Sequence, residues 1–134
     1  MSCKSVLYTA NTGAQTVASG GTLSIGSIIR RFGCGADLNG TGINLSAPGY
    51  YKVSVSVTML PTEAGAVTVS LLKDGVAVPG GVAAETVAAA GDFANLSFAS
   101  VVRIPCCGNP AALTLVLTGT ASNVTNVAVV VEKL

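Results

Sequence analysis

The 134-residue chain contains no histidine and no tryptophan, only 4% aromatic residues and only 10% charged ones. Without histidine it cannot assemble a Ser-His-Asp or Cys-His nucleophilic centre, or a zinc site of mixed Cys and His ligands. Its six acidic residues are scattered among turns and strand ends with no close pair for general acid-base work, so no catalytic residue is assigned. Seven Lys and Arg against those six acids leave a net charge of +1, and no basic cluster exceeds the pair Arg30-Arg31. That balance excludes the basic footprint on which nucleic-acid binding rests. No apolar run approaches the ~20 residues of a membrane-spanning helix, which argues against a membrane role. The opening segment "MSCKSVLYTANTGAQ" has no basic region followed by an apolar stretch and a cleavage site, so synthesis in a host cytoplasm without a signal peptide is expected.

What the chain has instead is apolarity, at 50% of residues. An ordinary soluble domain carries about 25% charged residues, and this one has too few to coat a monomer. With a membrane helix excluded, self-association is the remaining reading: a second apolar surface hidden against copies of the same chain. The length suits one domain, 1–134, able to bury roughly 70% of its unfolded surface.

Val, Ile and Thr recur with period two, punctuated by Gly, Pro, Asn and Asp, and no window has helical periodicity. In "YYKVSVSVTM", Tyr51, Val53, Val55 and Val57 fall on one face and Lys52, Ser54, Ser56 and Thr58 on the other, the pattern of a half-buried strand. "AVTVSLLKDGVAVPG" places Val67, Val69 and Leu71 inward and turns at Asp74-Gly75, a hairpin pair. "DFANLSFASVVRI" buries Leu96, Phe98, Val102 and Ile104, and "ALTLVLTGT" buries Leu113, Leu115 and Leu117; the short segment between them predicts a hairpin. "ETVAAAG" has alanine propensity for a helix, but its neighbours favour a strand or irregular crossing. In "NVTNVAVVVEKL", Val127, Val129 and Val131 face one way while Ala128 and Val130 face the other, so a central strand apolar on both sides is expected. Eight to ten short antiparallel strands predict an all-β sandwich, most economically a jelly roll.

Other motifs carry less. "GCGADLNGTG" has the glycines of a phosphate loop but neither its Lys-Ser/Thr ending nor a following helix. Arg30 and Arg31 point to opposite faces of a strand; one is expected to be solvated and the other to pair with an acid across subunits. Asp37, Asp74 and Asp92 fall in separate loops, unlike a calcium loop. Four Asn-X-Ser/Thr sequons begin at Asn39, Asn44, Asn95 and Asn123, the incidence expected of a chain rich in these residues. Cys3, Cys34, Cys106 and Cys107 include no Cys-X2-Cys pair, so no metal or other cofactor is assigned.

The stretch "GINLSAPGYYKVSVSVTM" resembles the part of the tumour-necrosis-factor and complement globular-head superfamily where an apolar strand enters a Gly-X-Tyr turn and a long alternating strand. "VTVSLLKDGVAVPG" is similar to that family's next hairpin and "LTLVLTGTASNVTNVAVVVEKL" to its last two strands, with "GGTLSIGSIIRRFG" as an earlier strand pair. The likeness covers about residues 40 to 134. The low charge, "SIIRRFG" and the Cys-Cys segment resemble the bacterial and phage branch, with its spore-surface filament heads and phage structural proteins. The resemblance implies a ten-stranded TNF-like jelly roll in a tight homotrimer, the inner sheet of each protomer packed about the threefold axis. Ala128, Val130, Tyr50, Ser54 and Ser56 are the interface residues this assigns.

No collagen-like Gly-X-Y stalk is present, so a trimer attached to a larger particle such as a phage capsid, as a head decoration or fibre-type protein, fits better than a filament tip. The expected location is the virion surface, with a spore surface as the alternative. A different class of function is a module recognising surface glycans or receptors through the loops at one end. Alternation, however, assigns most of Tyr8, Phe32, Tyr50, Tyr51, Phe93 and Phe98 to strands.

If alternation ran past Ile104, Cys106 would point inward and Cys107 outward, although Pro105 disturbs that parity. On a particle outside the reducing cell one of the two is expected to pair with Cys34, within or between protomers, contributing about 2 to 4 kcal/mol. Four reduced thiols packed as small apolar groups are the rival reading, and a metal on the threefold axis is the third. Mass spectrometry after alkylation of the unreduced, unfolded protein separates them: a staple leaves two thiols unlabelled, and labelling of all four removes it.

Overall fold

The computed structural model describes residues 5–33, 35–40, 42–90, 92–105 and 111–134. Eleven strands account for most of them: β1 (Val6–Asn11), β2 (Gln15–Val17), β3 (Ser27–Phe32), β4 (Ala36–Asn39), β5 (Gly42–Leu45), β6 (Gly49–Pro61), β7 (Gly65–Lys73), β8 (Val76–Val87), β9 (Ala94–Ile104), β10 (Ala111–Gly119) and β11 (Ser122–Lys133). The count exceeds the expected eight to ten because short strands such as β2 and β4 interrupt stretches too brief to show alternation.

Two antiparallel sheets stack face to face. The first runs β3-β1-β11-β6-β9 with β2 added alongside β11; the second runs β4-β5-β10-β7-β8. Period-two patterning drives this arrangement, because each strand has one apolar face to bury and two sheets bury both sets at once. From the first sheet come Leu7, Val53, Val55, Leu96, Val127 and Val129; from the second come Ile43, Val67, Leu71, Leu113, Leu115 and Leu117. Each fully buried Leu, Ile or Val stabilises the fold by about 1.5–3 kcal/mol.

The β7–β8 hairpin forms where Asp74-Gly75 predicts it. Both residues are left-handed, at φ 52° and 83°, the conformation of a two-residue turn matched to strand twist. β11 is central, pairing with β1 on one side and β6 on the other, as its two apolar faces require. In "ETVAAAG", residues 85–90 run out of β8 into a bend and turn, not a helix.

The expected β9–β10 hairpin does not exist. β9 pairs with β6 in the first sheet, while β10 lies between β5 and β7 in the second. Two consecutive strands that each bury one face can lie side by side or face each other across the core, and alternation is identical in both cases. The end of β9 and the start of β10 therefore belong to different sheets. "GGTLSIGSIIRRFG" likewise yields one strand, β3, instead of a pair; its first half contributes a single bridge from Thr22 to Val116.

Tyr51 is the largest fully buried side chain, and its hydroxyl donates to the Ala47 carbonyl at 2.6 Å. It ties the loop ahead of β6 to the core, and burial raises its phenol above the ordinary value of about 10. A raised folded-state value means that the protonated form is favoured in the fold. Stability is therefore complete below pH of about 10 and is lost as pH climbs through the folded value. Tyr51→Phe is expected to cost about 1 kcal/mol at neutral pH and to flatten this alkaline decline. Urea midpoints against pH for both proteins test it, and equal alkaline slopes would show that Tyr51 is not the responsible group.

Candidate functional site

A sandwich uses one face of each sheet for its core, and the chemistry of the other faces determines what else the molecule does. The outward face of the first sheet carries Arg30, Lys52, Arg103 and Glu132 toward one end and leaves an uncharged stretch beyond them. Val129 is 2% exposed, while its neighbour Val130 is 36% exposed on the opposite side of β11. Val130 stands opposite Tyr8 on β1 and Ser54 on β6, and Ser54 stands opposite Ala99 on β9. One step along, Ala10, Ala128, Ser56 and Ser97 form a parallel row.

Four of the five residues assigned from sequence, Ala128, Val130, Ser54 and Ser56, thus lie in two adjoining rows of one face. Tyr50 shares the face but stands apart, at the end of β6 opposite Arg103. The sequence reading missed Tyr8, Ala10, Ser97 and Ala99, which complete the rows. The alternation of "VLYTA" holds that signal for β1, but only pairing with β11 shows which side is outward.

The charges of this face are mostly toward one end. Lys52 and Glu132 are direct cross-strand partners, and Arg30 stands opposite Tyr8. Beyond β1 the edge strand β3 is exposed along its whole length, including Phe32. In the first of the two rows the bulkier groups, Tyr8 and Val130, stand on β1 and β11 and the small ones, Ser54 and Ala99, on β6 and β9; the second row is small throughout.

Within the single chain Arg31 has an acidic neighbour. It pairs with Asp37 of the same chain at 3.7 Å, across the half-exposed gap between β3 and β4, an interaction worth well under ~1 kcal/mol. Asp37 accordingly sits in β4, not in a loop, while Asp74 occupies the β7–β8 turn and Asp92 the segment before β9. Phe93, beside Asp92, is 58% exposed and is the aromatic residue that a loop carries; the other five are on strands. Cys34, Cys106 and Cys107 fall outside the described residues, as does Cys3.

No protein-family model matches the chain, and no curated protein sequence matches it. Solved structures do. The Eiger TNF of S. frugiperda aligns with a TM-score of 0.69 over 98% of this chain and 91% of that one, at 12% identity. The globular domain of zebrafish complement 1qA aligns with a TM-score of 0.69 over 96% and 95%, at 9% identity. The PRD1 vertex protein P5 gives 0.64 over 97% and 96%, at 14% identity. At such identities what is shared is the fold, and that fold is the all-β, TNF-like jelly roll expected from the sequence.

Proposed function

We propose that this jelly roll is a structural protein that assembles as a homotrimer through the outward face of its first sheet and is displayed on a particle surface, as a phage decoration or fibre-type component. The observation that carries the reading is the pair of nearly uncharged rows running from Tyr8 and Ala10 through Val130 and Ala128 to Ala99 and Ser97. Burying such a face stabilises an assembly by about 25 cal/mol per Å2, less the cost of association.

The first row suits a ring of copies. A cyclic interface sets one patch of the face against a different patch of the next copy. Tyr8 and Val130 on β1 and β11 complement the small Ser54 and Ala99 of β6 and β9 in that manner. Likeness of fold to a vertex protein supports the particle role. A loop-borne glycan site has Phe93 alone behind it and ranks lower.

Sedimentation equilibrium tests the proposal. A trimer at micromolar concentration is expected, and a stable monomer there removes the physical basis of the reading.

A further inference from the structure

Strand direction sorts the charges of this chain into two poles. β6, β8 and β10 start at one end of the sandwich, where β3, β7, β9 and β11 finish. Every described cation lies in that half: Arg30, Arg31, Lys52, Lys73, Arg103 and Lys133. Three acids, Asp37, Asp74 and Glu132, accompany them, so six positive charges less three negative leave +3. The opposite half holds Glu63, Glu85 and Asp92 and no described cation, a balance of −3. A net charge of +1 over the whole chain conceals this separation completely.

The basic pole also contains a cleft of about 460 Å3, between the β7–β8 turn and the end of β9. Val76, Val78, Pro79 and Val101 supply apolar lining, and Lys73 and Arg103 flank it. Val76 is 68% exposed and Val101 54%. The Lys73 ammonium donates to the Arg103 carbonyl at 2.8 Å, fixing the lysine head at the rim with donors to spare. Asp74, the acid of the cleft, accepts from the Ala112 N–H at 2.9 Å, which commits its carboxylate to the backbone.

We infer that this cleft at the basic pole docks an acidic polypeptide segment carrying an apolar anchor residue. The inference deepens the display reading and rests on it for the partner's role, namely the means by which the trimer grips its particle. Volume and lining suit one or two apolar side chains, and the two cations reward flanking carboxylates, steering the approach from beyond contact distance.

Other occupants fit less well. The cleft offers no aromatic on which a nucleic-acid base stacks, and two cations are few for a phosphate backbone. A concave apolar site is the wrong shape for a membrane surface, which needs protruding groups. The protein's own acidic pole spreads its carboxylates over separate elements, and Glu85 already accepts from the Asn95 N–H.

The test uses fluorescence anisotropy of the full chain with a labelled peptide of alternating Glu and Leu. The comparison probes are a peptide of Glu and Gly, a thymidine oligonucleotide and phosphatidylglycerol vesicles. Binding of the Glu-Leu peptide above all others, weakened by salt, is expected. The double variant Lys73→Glu with Arg103→Glu should weaken it by roughly a hundredfold, about two decades for two reversed charges at a binding rim. Val76→Ser should weaken it with the charges intact, and Glu63→Gln, at the other pole, should leave it unchanged; circular dichroism confirms that each variant is folded. Absence of peptide binding, equal binding by the double variant, or preference for oligonucleotide or vesicles would overturn the inference. Sedimentation of the same samples separates the two readings: a trimer that ignores the peptide sinks the cleft, whereas a monomer that binds it sinks the trimer.

Discussion

On the proposed trimer, Val130→Asp is expected to leave folded monomers. Val130 is already 36% exposed in the single chain, so a carboxylate there keeps its water and the fold survives. In an assembly closed over the first sheet, three such carboxylates per trimer are taken out of water among Tyr8, Ser54 and Ala99, with no cation directly opposite. Burying one unpaired charge costs several kcal/mol, enough to shift association by orders of magnitude.

Two companion variants make the result specific. Val129→Asp sits one residue away but points into the core at 2% exposure, so it should unfold the chain instead of dissociating it. Val82→Asp, on the exposed side of β8 in the second sheet, should leave both fold and assembly unchanged. Sedimentation velocity with circular dichroism reads all three. Trimeric Val130→Asp beside dissociated Val82→Asp would move the interface to the other sheet.

The faces of individual strands were legible because alternation is a local property. Tyr51, Val53, Val55 and Val57 are buried as their spacing predicts, and Asp74-Gly75 makes the turn its residues favour. β11 could be identified as central because a strand apolar on both sides has no stable place at a solvated edge. Which strands share a sheet was not legible in the same way. β9 and β10 show one pattern whether they pair or face each other, and only the long-range partners β6, β5 and β7 decide. The charge poles were hidden for a related reason. Lys52 and Lys133 are far apart in sequence, yet they reach one end because β6 begins there and β11 finishes there. Of the candidate surface, Val130 and Ala128 could be read from their own strand, but Tyr8 and Ala99 became neighbours only through pairing.

Gly119→Ala is expected to cost more than about 3 kcal/mol, a large share of the roughly 5–15 kcal/mol that stabilises a domain. Gly119 ends β10 where the chain leaves the second sheet for β11 in the first, and its φ of +96° is disfavoured for any residue with a Cβ. Conformation is the smaller part of the cost. A Cβ at this position would run into the Ala66 carbonyl oxygen and lie 3.1 Å from the Ala66 carbonyl carbon and 3.4 Å from the Val67 Cα. These are backbone atoms of β7, which cannot swing aside as a side chain could. That backbone is held in register with β10, and the Ala66 carbonyl accepts the Thr120 N–H at 3.0 Å. Relief would mean opening the β7–β10 ladder at the point where the two sheets are joined. Gly20→Ala is the control, since Gly20 has a similar φ of +85° and an added methyl there meets no atom within 4 Å; it should lose only about 1–2 kcal/mol. Denaturant midpoints of the two variants separate backbone strain from collision. Equal losses would show that β7 yields to the added methyl and that this junction is softer than its hydrogen bonds imply.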